Sequence, residues 1–262
     1  MPRLFSLVVL ATLVWAGSAF AEQPLILNGG TVGPLGSNKA SELVLPRAGT
    51  APFPAVIVLH GCNGVSRHVR EMARRLAGWG YAALVVDSFR PRGFDNVCNR
   101  GKTFPAAVRV ADVFTAAAYL RGRKDIDPAR IGAIGFSHGA WTVLYAAAER
   151  VVAEAQARPL QAIIAYYPWC PWFAPPLATD VQIFIGGADD WTPAARCVDL
   201  AAKYPQTAKH RLLLKVYPGA THAFDSNMAS GVYYGHHLAP DHPAARDSLK
   251  LARKFLNARL HR

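Results

Sequence analysis

Short apolar runs recur along the chain, and stretches with helical periodicity separate them. The runs are continuous and rich in Val, Ile and Leu, which is typical of strands buried on both faces of a parallel sheet. They read SELVLP, a predicted edge strand, then PAVIVLH, YAALVVDS, RIGAIGFS, QAIIAYYP, VQIFIGG and RLLLKVYP. The helical patterns cover residues 67–79, 105–122, 138–156, 193–203 and 244–260. This alternation predicts an α/β fold with a mostly parallel central sheet and helices on both faces.

The first residues, MPRLFSLVVLATLVWAGSAFA, have the features of an export signal. Arg3 precedes an apolar stretch, and Ala19 and Ala21 occupy the small-residue positions of a leader-peptidase site. Residues 1–21 are therefore predicted to be a signal peptide, and the mature protein to be periplasmic or secreted. A membrane anchor is the alternative, but the apolar stretch is short and ends in small residues. We expect residues 22–262 to form a single domain, because a chain that is 52% hydrophobic can bury one full-sized core.

The net charge of +12 at pH 7 could attract anionic substrates or surfaces. However, the arginines are scattered through helical patterns such as REMARRLAG, which indicates solvated faces. The sequence has no basic stripe interleaved with aromatic residues, the pattern that would indicate nucleic-acid binding. The chain has neither a CxxC pair nor a Cys/His ligand spacing, so we expect no metal and no cofactor. A small-molecule partner is expected instead.

Ser137 lies in the stretch AIGFSHGA, between an apolar run and a helical pattern. Ligands bind at the carboxyl ends of the strands in such sheets, and Ser137 follows one of them. Its GxSxG pattern is that of a nucleophile elbow, in which glycines permit a sharp turn that exposes the serine hydroxyl. A turn without chemistry would need the same small residues, so the motif alone does not decide between the two.

An acid and a histidine follow Ser137 in the order that this elbow requires. Asp189 comes after the run VQIFIGG, and His222 comes after RLLLKVYPGAT. Three such residues at strand ends predict that Ser137 is a nucleophile, His222 its base and Asp189 the group that orients the base. Asp190 competes for the acid role. We favour Asp189, which is nearer the strand, and expect Asp190 to cap the helix that follows.

The oxyanion of an acyl transfer needs backbone donors. The N–H of His138, directly after the nucleophile, is one candidate, and the N–H of Cys62 in the loop HGCNG is the other. The His138 side chain is expected to point away from Ser137. His236, His237 and His242 are placed in a late loop, with structural or solvent contacts.

Four cysteines lie after the predicted cleavage site, and an exported chain can form two disulfides from them. Three pairings are possible. We favour Cys62 with Cys98 and Cys170 with Cys197, because each pair would join loops that converge at one edge of the sheet.

With these motifs in order, the chain resembles the α/β-hydrolase superfamily and, within it, the dienelactone hydrolase family. The resemblance rests on VIVLHGCNG, GYAALVVDSFRPRG, IGAIGFSHGA, IGGADDWTPA and YPGATHAFD and covers about residues 40–260. It implies an α/β-hydrolase fold and a hydrolase of carboxylic esters or lactones that works through an acyl-enzyme without a metal. The best-known members use a cysteine nucleophile where this chain has Ser137, hold a substrate carboxylate with arginines and are cytoplasmic.

Basic and aromatic residues near the strand ends are candidates for substrate binding. Arg90 and Arg92 could accept an anionic group, or they could be solvated or paired with Asp95. Trp169 and Trp191 could line an apolar pocket. Trp172 and Phe173 are candidates of the same kind, and all these aromatic residues could instead only pack the loops.

The sequence therefore predicts an exported serine hydrolase that cleaves carboxylic esters or lactones. A peptidase or a polysaccharide deacetylase could use the same three residues. A binding protein on a hydrolase scaffold is the alternative from another class, since a fold alone does not determine function.

Overall fold

The computed structural model describes residues 41–100, 104–171 and 175–261. It also describes the two-residue strands β1 (Ile26–Leu27) and β2 (Gly30–Thr31), which pair with each other. The predicted signal peptide and the residues Trp172 and Phe173 lie outside the described residues.

A seven-stranded sheet forms the centre of the described part of the chain. Its strands are β3 (Glu42–Val44), β4 (Phe53–Leu59), β5 (Ala82–Val86), β6 (Ile126–Phe136), β7 (Ala162–Tyr166), β8 (Val181–Gly186) and β9 (Leu212–Tyr217). Their order is β3-β5-β4-β6-β7-β8-β9. Only β3, at the edge, runs antiparallel to its neighbour. The mostly parallel sheet and the edge strand SELVLP are as the sequence predicts.

Helices cover both faces of this sheet. They are α1 (Arg67–Gly78), α2 (Val110–Arg121), α3 (His138–Ala146), α4 (Glu149–Glu154), α5 (Ala194–Lys203) and α6 (His242–Leu260). Strand β5 lies on one side of β4, and β6 lies on the other. Because crossovers between parallel strands are right-handed, α1 and α2 lie on opposite faces. No helix in the described residues is long and apolar enough to span a bilayer.

The reversal of strand order at β4 creates a crevice at the carboxyl ends of β4 and β6. The HGCNG loop leaves β4 at this crevice, and Ser137 follows β6 directly. The strand interiors are almost fully buried, as the continuous apolar runs predict. The buried strands β4 and β6 thus fix where the HGCNG loop and the segment that begins with Ser137 leave the sheet.

Two local predictions were wrong. The helix predicted over residues 138–156 is divided, because Ala148 adopts an extended conformation and pairs with Leu177. The late loop contains a hairpin of β10 (Gly231–Tyr233) and β11 (His236–Leu238), and His242 begins α6. The two residues between these strands both have positive φ, as in a tight type I′ turn.

Candidate active site

Ser137 occupies a strained turn between β6 and α3. Its φ of 50° is in a region that non-glycine residues seldom adopt. The two neighbouring glycines have backbone atoms of other residues so close that no side chain fits. A Cβ on Gly139 would lie 2.5 Å from the His60 carbonyl oxygen, and a Cβ on Gly135 would overlap the Gly139 carbonyl. The GxSxG spacing therefore lets the chain turn sharply against the loop after β4, with Ser137 at the bend.

The structure brings His222 and Asp189 to Ser137. His222 Nε2 lies 2.9 Å from Ser137 Oγ, and His222 Nδ1 lies 2.8 Å from Asp189 Oδ2. His222 and Asp189 are 3% and 5% exposed. A carboxylate only accepts hydrogen bonds, so the Nδ1–H of His222 donates to Asp189 and its Nε2 lone pair faces the serine hydroxyl. This arrangement can remove a proton from Ser137.

The Asp189 carboxylate is held by its own turn. Its Oδ1 accepts hydrogen bonds from the backbone N–H groups of Trp191 and Thr192, at 3.0 and 2.7 Å. The Thr192 hydroxyl lies 2.9 Å from Asp189 Oδ2 and 3.1 Å from His222 Nδ1. Three donors besides the imidazole thus fix the orientation of the carboxylate. This role of Thr192 was not predicted from the sequence.

Asp190 has a different environment, and the expectation that it caps a helix was wrong. Its side chain is 48% exposed. Its Oδ2 accepts a hydrogen bond from the His237 N–H at 3.0 Å, and its Oδ1 lies 3.4 Å from His236 Nδ1. No side chain caps α5, which begins after Pro193. Asp190 therefore binds strand β11 of the hairpin and not the start of α5.

The two predicted oxyanion donors flank Ser137. A Cβ on Gly61 would lie 3.5 Å from the Ser137 Cβ, so the loop that carries Cys62 runs beside the serine. His138 begins α3, and the first N–H groups of a helix have no partner within it. The His138 ring points away from Ser137, with Nδ1 3.0 Å from Arg109 Nη1 and Nε2 3.0 Å from the Phe104 carbonyl oxygen.

Both favoured disulfides are present. Cys62 bonds to Cys98, and Cys170 bonds to Cys197. The first ties the loop after β4 to the segment after β5, where the Val97 N–H also donates to the Cys62 carbonyl at 2.8 Å. The second ties the segment after β7 to α5.

The double variant Cys62→Ala/Cys98→Ala is expected to lower the free energy of unfolding by about 2–4 kcal/mol, because the crosslink restricts the unfolded chain. Urea denaturation measures this loss. The Cys170–Cys197 disulfide closes a loop of similar length, so the double variant Cys170→Ala/Cys197→Ala should lose a similar amount. An unchanged urea midpoint in either variant would contradict the assigned pairs.

A cavity of about 550 Å³ opens beside Ser137 and His222, large enough for a small-molecule substrate. Much of its wall is apolar or aromatic and includes Phe136, Tyr167, Trp191, Met228, Tyr233 and Leu238. Trp191 is therefore in the wall, as proposed from the sequence. Trp169 is outside it and packs under the Arg196 guanidinium, 4.2 Å from the ring centroid.

The sequence profile of the dienelactone hydrolase family matches residues 42–260, most of the chain. The chain belongs to the dienelactone hydrolase family. Carboxymethylenebutenolidase homologues from Methylorubrum extorquens and Escherichia coli are 29% and 28% identical over 244 and 213 residues. The alignments cover 84% and 73% of this chain and 84% and 75% of the relatives.

Solved structures of similar fold include a dienelactone hydrolase-like promiscuous phosphotriesterase from metagenomic libraries, with a TM-score of 0.65 and 21% identity. A thermophilic esterase from Thermogutta terrifontis has a TM-score of 0.61 and 18% identity. They cover 83% and 82% of this chain and 91% and 88% of their own chains. This dienelactone hydrolase family member therefore has the α/β-hydrolase fold.

Neither arginine proposed to bind substrate lines the cavity of this dienelactone hydrolase family member. Arg92 makes a bidentate pair with Asp112, at 2.9 and 2.8 Å, and donates to the Ser88 carbonyl at 2.6 Å. Arg90 is 59% exposed and lies 3.7 Å from Asp95. Arg92 is held by a buried carboxylate and Arg90 is mostly in solvent, so neither side chain reaches this cavity in the structure.

Arg92→Leu is expected to destabilise the protein by about 3–5 kcal/mol, since it leaves the buried Asp112 carboxylate unpaired. KM for a short ester should stay within about twofold. Urea denaturation and steady-state kinetics provide the two readouts. A raised KM together with unchanged stability would restore the substrate-binding hypothesis.

His68 lies in the cavity wall and pairs with the Asp225 carboxylate, and neither residue was predicted from the sequence. His68 Nε2 is 3.3 Å from Asp225 Oδ2, and Asp225 Oδ1 accepts a hydrogen bond from the Tyr167 hydroxyl at 2.9 Å. Burial alone would lower the pKa of His68, but the Asp225 carboxylate outweighs it and raises the pKa. The Tyr167 ring packs edge-on against His222, with centroids 4.7 Å apart. Tyr167 therefore links the Asp225 carboxylate to the ring of His222.

Proposed function

We propose that this protein is an exported serine hydrolase that cleaves carboxylic esters or lactones through an acyl-enzyme. One observation carries the proposal: the buried His222 ring lies within hydrogen-bond distance of Ser137 Oγ through one nitrogen and of the Asp189 carboxylate through the other. A serine hydroxyl is a weak nucleophile unless a positioned base takes its proton. The family membership supports the substrate class.

In the proposed reaction, Ser137 Oγ attacks the acyl carbon while its proton passes to His222 Nε2. The backbone N–H groups of Cys62 and His138 stabilise the oxyanion of the tetrahedral intermediate. His222 then gives the proton to the leaving alkoxide, which yields an acyl-serine and an alcohol. Water attacks the acyl-serine by the same steps in reverse, and Asp189 stabilises the imidazolium in each half-reaction.

A fluorophosphonate probe tests this proposal on the purified chain without its first 21 residues. We expect one covalent adduct per molecule, and peptide mapping should place it on Ser137. Hydrolysis of p-nitrophenyl butyrate should fall in proportion to labelling. A protein that binds esters but is not labelled would be a binding protein on this scaffold, and the proposal would be abandoned.

Export is proposed from the leader-like residues 1–21, and the two disulfides support it because such bonds persist in oxidising compartments. Expression of the full chain in a bacterium should give a protein in the periplasm or medium whose N-terminal residue is Glu22. A full-length chain retained in the cytoplasm with free thiols would contradict the proposal.

A further inference from the structure

Arg109 lies directly before α2 and is fully buried. Its Nη1 donates to the His60 carbonyl oxygen at 3.0 Å and approaches His138 Nδ1 at the same distance. These residues belong to two separate segments, the loop after β4 and the start of α3. The same two segments carry the backbone donors of the proposed oxyanion hole, so one guanidinium nitrogen connects both.

The His138 ring transmits this contact to α3. Its Nε2 must carry the proton, because the Phe104 carbonyl at 3.0 Å only accepts a hydrogen bond. Its Nδ1 is then a lone pair that accepts from Arg109. Burial, reinforced by the Arg109 charge, lowers the pKa of His138 to about 3, so the ring stays neutral. A ring held at both nitrogens fixes the residue whose N–H begins the helix.

The His60 ring transmits the contact to the loop. Its Nε2 accepts from the Ser88 N–H at 3.1 Å, and its Nδ1–H donates to the Gly61 carbonyl at 2.7 Å. The N–H of a trans peptide points opposite to its carbonyl, so the Cys62 N–H points away from the His60 ring. Arg109 holds the His60 carbonyl just before this peptide, and Cys62 lies in the cavity wall with Ser137.

The Arg109 side chain is a costly one to bury. Among the described residues, its Nε and Nη2 have no hydrogen-bond partner. The Phe89 ring, 4.9 Å away, gives the cation a partial compensation. The Asp112 carboxylate on α2 attracts this cation electrostatically, but its hydrogen bonds are made with Arg92. Such incompletely satisfied buried charge is more typical of functional sites than of structural cores.

We propose that Arg109 is a positioning residue for the oxyanion hole: it holds the backbone donors of Cys62 and His138 in place, and its buried charge favours the negative oxygen of the tetrahedral intermediate. The inference rests on the proposed function. A positioning role of this kind acts on the transition state and leaves ground-state binding unchanged.

The test compares Arg109→Met with Arg109→Lys on p-nitrophenyl butyrate. We expect kcat to fall about 100-fold in the methionine variant, within the range seen when an oxyanion donor is removed, with KM within about twofold. The lysine variant keeps the charge on a shorter chain and should lose about tenfold. The affinity for a trifluoromethyl ketone, which forms an oxyanion on the serine, should weaken in parallel with kcat/KM.

Arg121→Met is the matched control. It makes the same change at the last residue of α2, where the Arg121 guanidinium donates to the carbonyl oxygens of Arg158 and Pro159 at 3.1 and 3.2 Å. Its kcat should stay within about twofold of wild type. Equal losses in Arg121→Met and Arg109→Met, or an Arg109→Met variant that raises KM alone, would overturn the proposal.

Two further outcomes keep the test decisive. If circular dichroism shows that Arg109→Met does not fold, the lysine variant carries the test, and wild-type kcat in that variant would overturn the inference. Failure of the proposed function is recognised separately, because the wild-type protein would then neither hydrolyse the ester nor be labelled at Ser137. An active wild type with a fully active Arg109→Met variant would reject the role of Arg109 alone.

Discussion

Ser137→Ala is expected to lower kcat for p-nitrophenyl butyrate by about 10⁶-fold and to leave KM nearly unchanged. The hydroxyl is the only group of this residue that the proposed reaction uses, and removal of a serine nucleophile from a comparable constellation has an effect of this order. The cavity wall and the backbone donors would remain, so the ester should still bind. Steady-state assays measure the ratio of the two kcat values, with the wild-type protein diluted until its hydrolysis rate matches that of the variant.

The strained conformation of Ser137 makes a stability control necessary. Alanine tolerates the φ of 50° no better than serine, so thermal unfolding should occur within a few degrees of wild type. Ser248→Ala removes the hydroxyl of another buried serine, on α6, and should keep wild-type kcat. If Ser137→Ala retained more than a thousandth of the wild-type rate in a preparation free of contaminating esterase, Ser137 would not be the nucleophile.

The sheet could be predicted from the sequence because parallel strands buried on both faces leave a direct trace, a continuous apolar run. The division of the segment 138–156 left no such trace. The residues at the break, 146–150, are the strong helix formers AAAER, and the break at Ala148 depends on a contact with Leu177, which is distant in the chain. The β10–β11 hairpin was missed for a related reason, since its strands are only three residues long and leave no recognisable periodicity.

The part of the candidate site that lies at strand ends could also be predicted from the sequence. Ser137, Asp189 and His222 each follow a strand, and the carboxyl ends of parallel strands converge at one edge. Arg109 and the His68–Asp225 pair could not be found in this way. They lie on or beside helices and loops, and their importance depends on partners that only the tertiary structure brings near.

Asp189→Asn is expected to lower kcat by about 10⁴-fold, while Asp190→Asn should stay within about threefold of wild type. An amide at position 189 can donate to His222 Nδ1 and so favours the tautomer in which Nε2 carries the proton. That ring cannot accept the proton of Ser137, and it loses the charge that stabilises the imidazolium. Asp190 lies on the outer side of the same turn, where an amide oxygen can still accept from the His237 N–H.

The two variants make a matched pair because the residues are adjacent, carry the same charge and undergo the same isosteric change. Any general effect of lost negative charge on this cationic protein would therefore appear in both. Kinetics on the same ester, with circular dichroism of each variant, give the comparison. A larger loss in Asp190→Asn would reassign the acid to Asp190 and require the turn to rearrange on substrate binding. Small losses in both would show that His222 needs no carboxylate here, with the Thr192 hydroxyl, 3.1 Å from Nδ1, as its remaining polar neighbour.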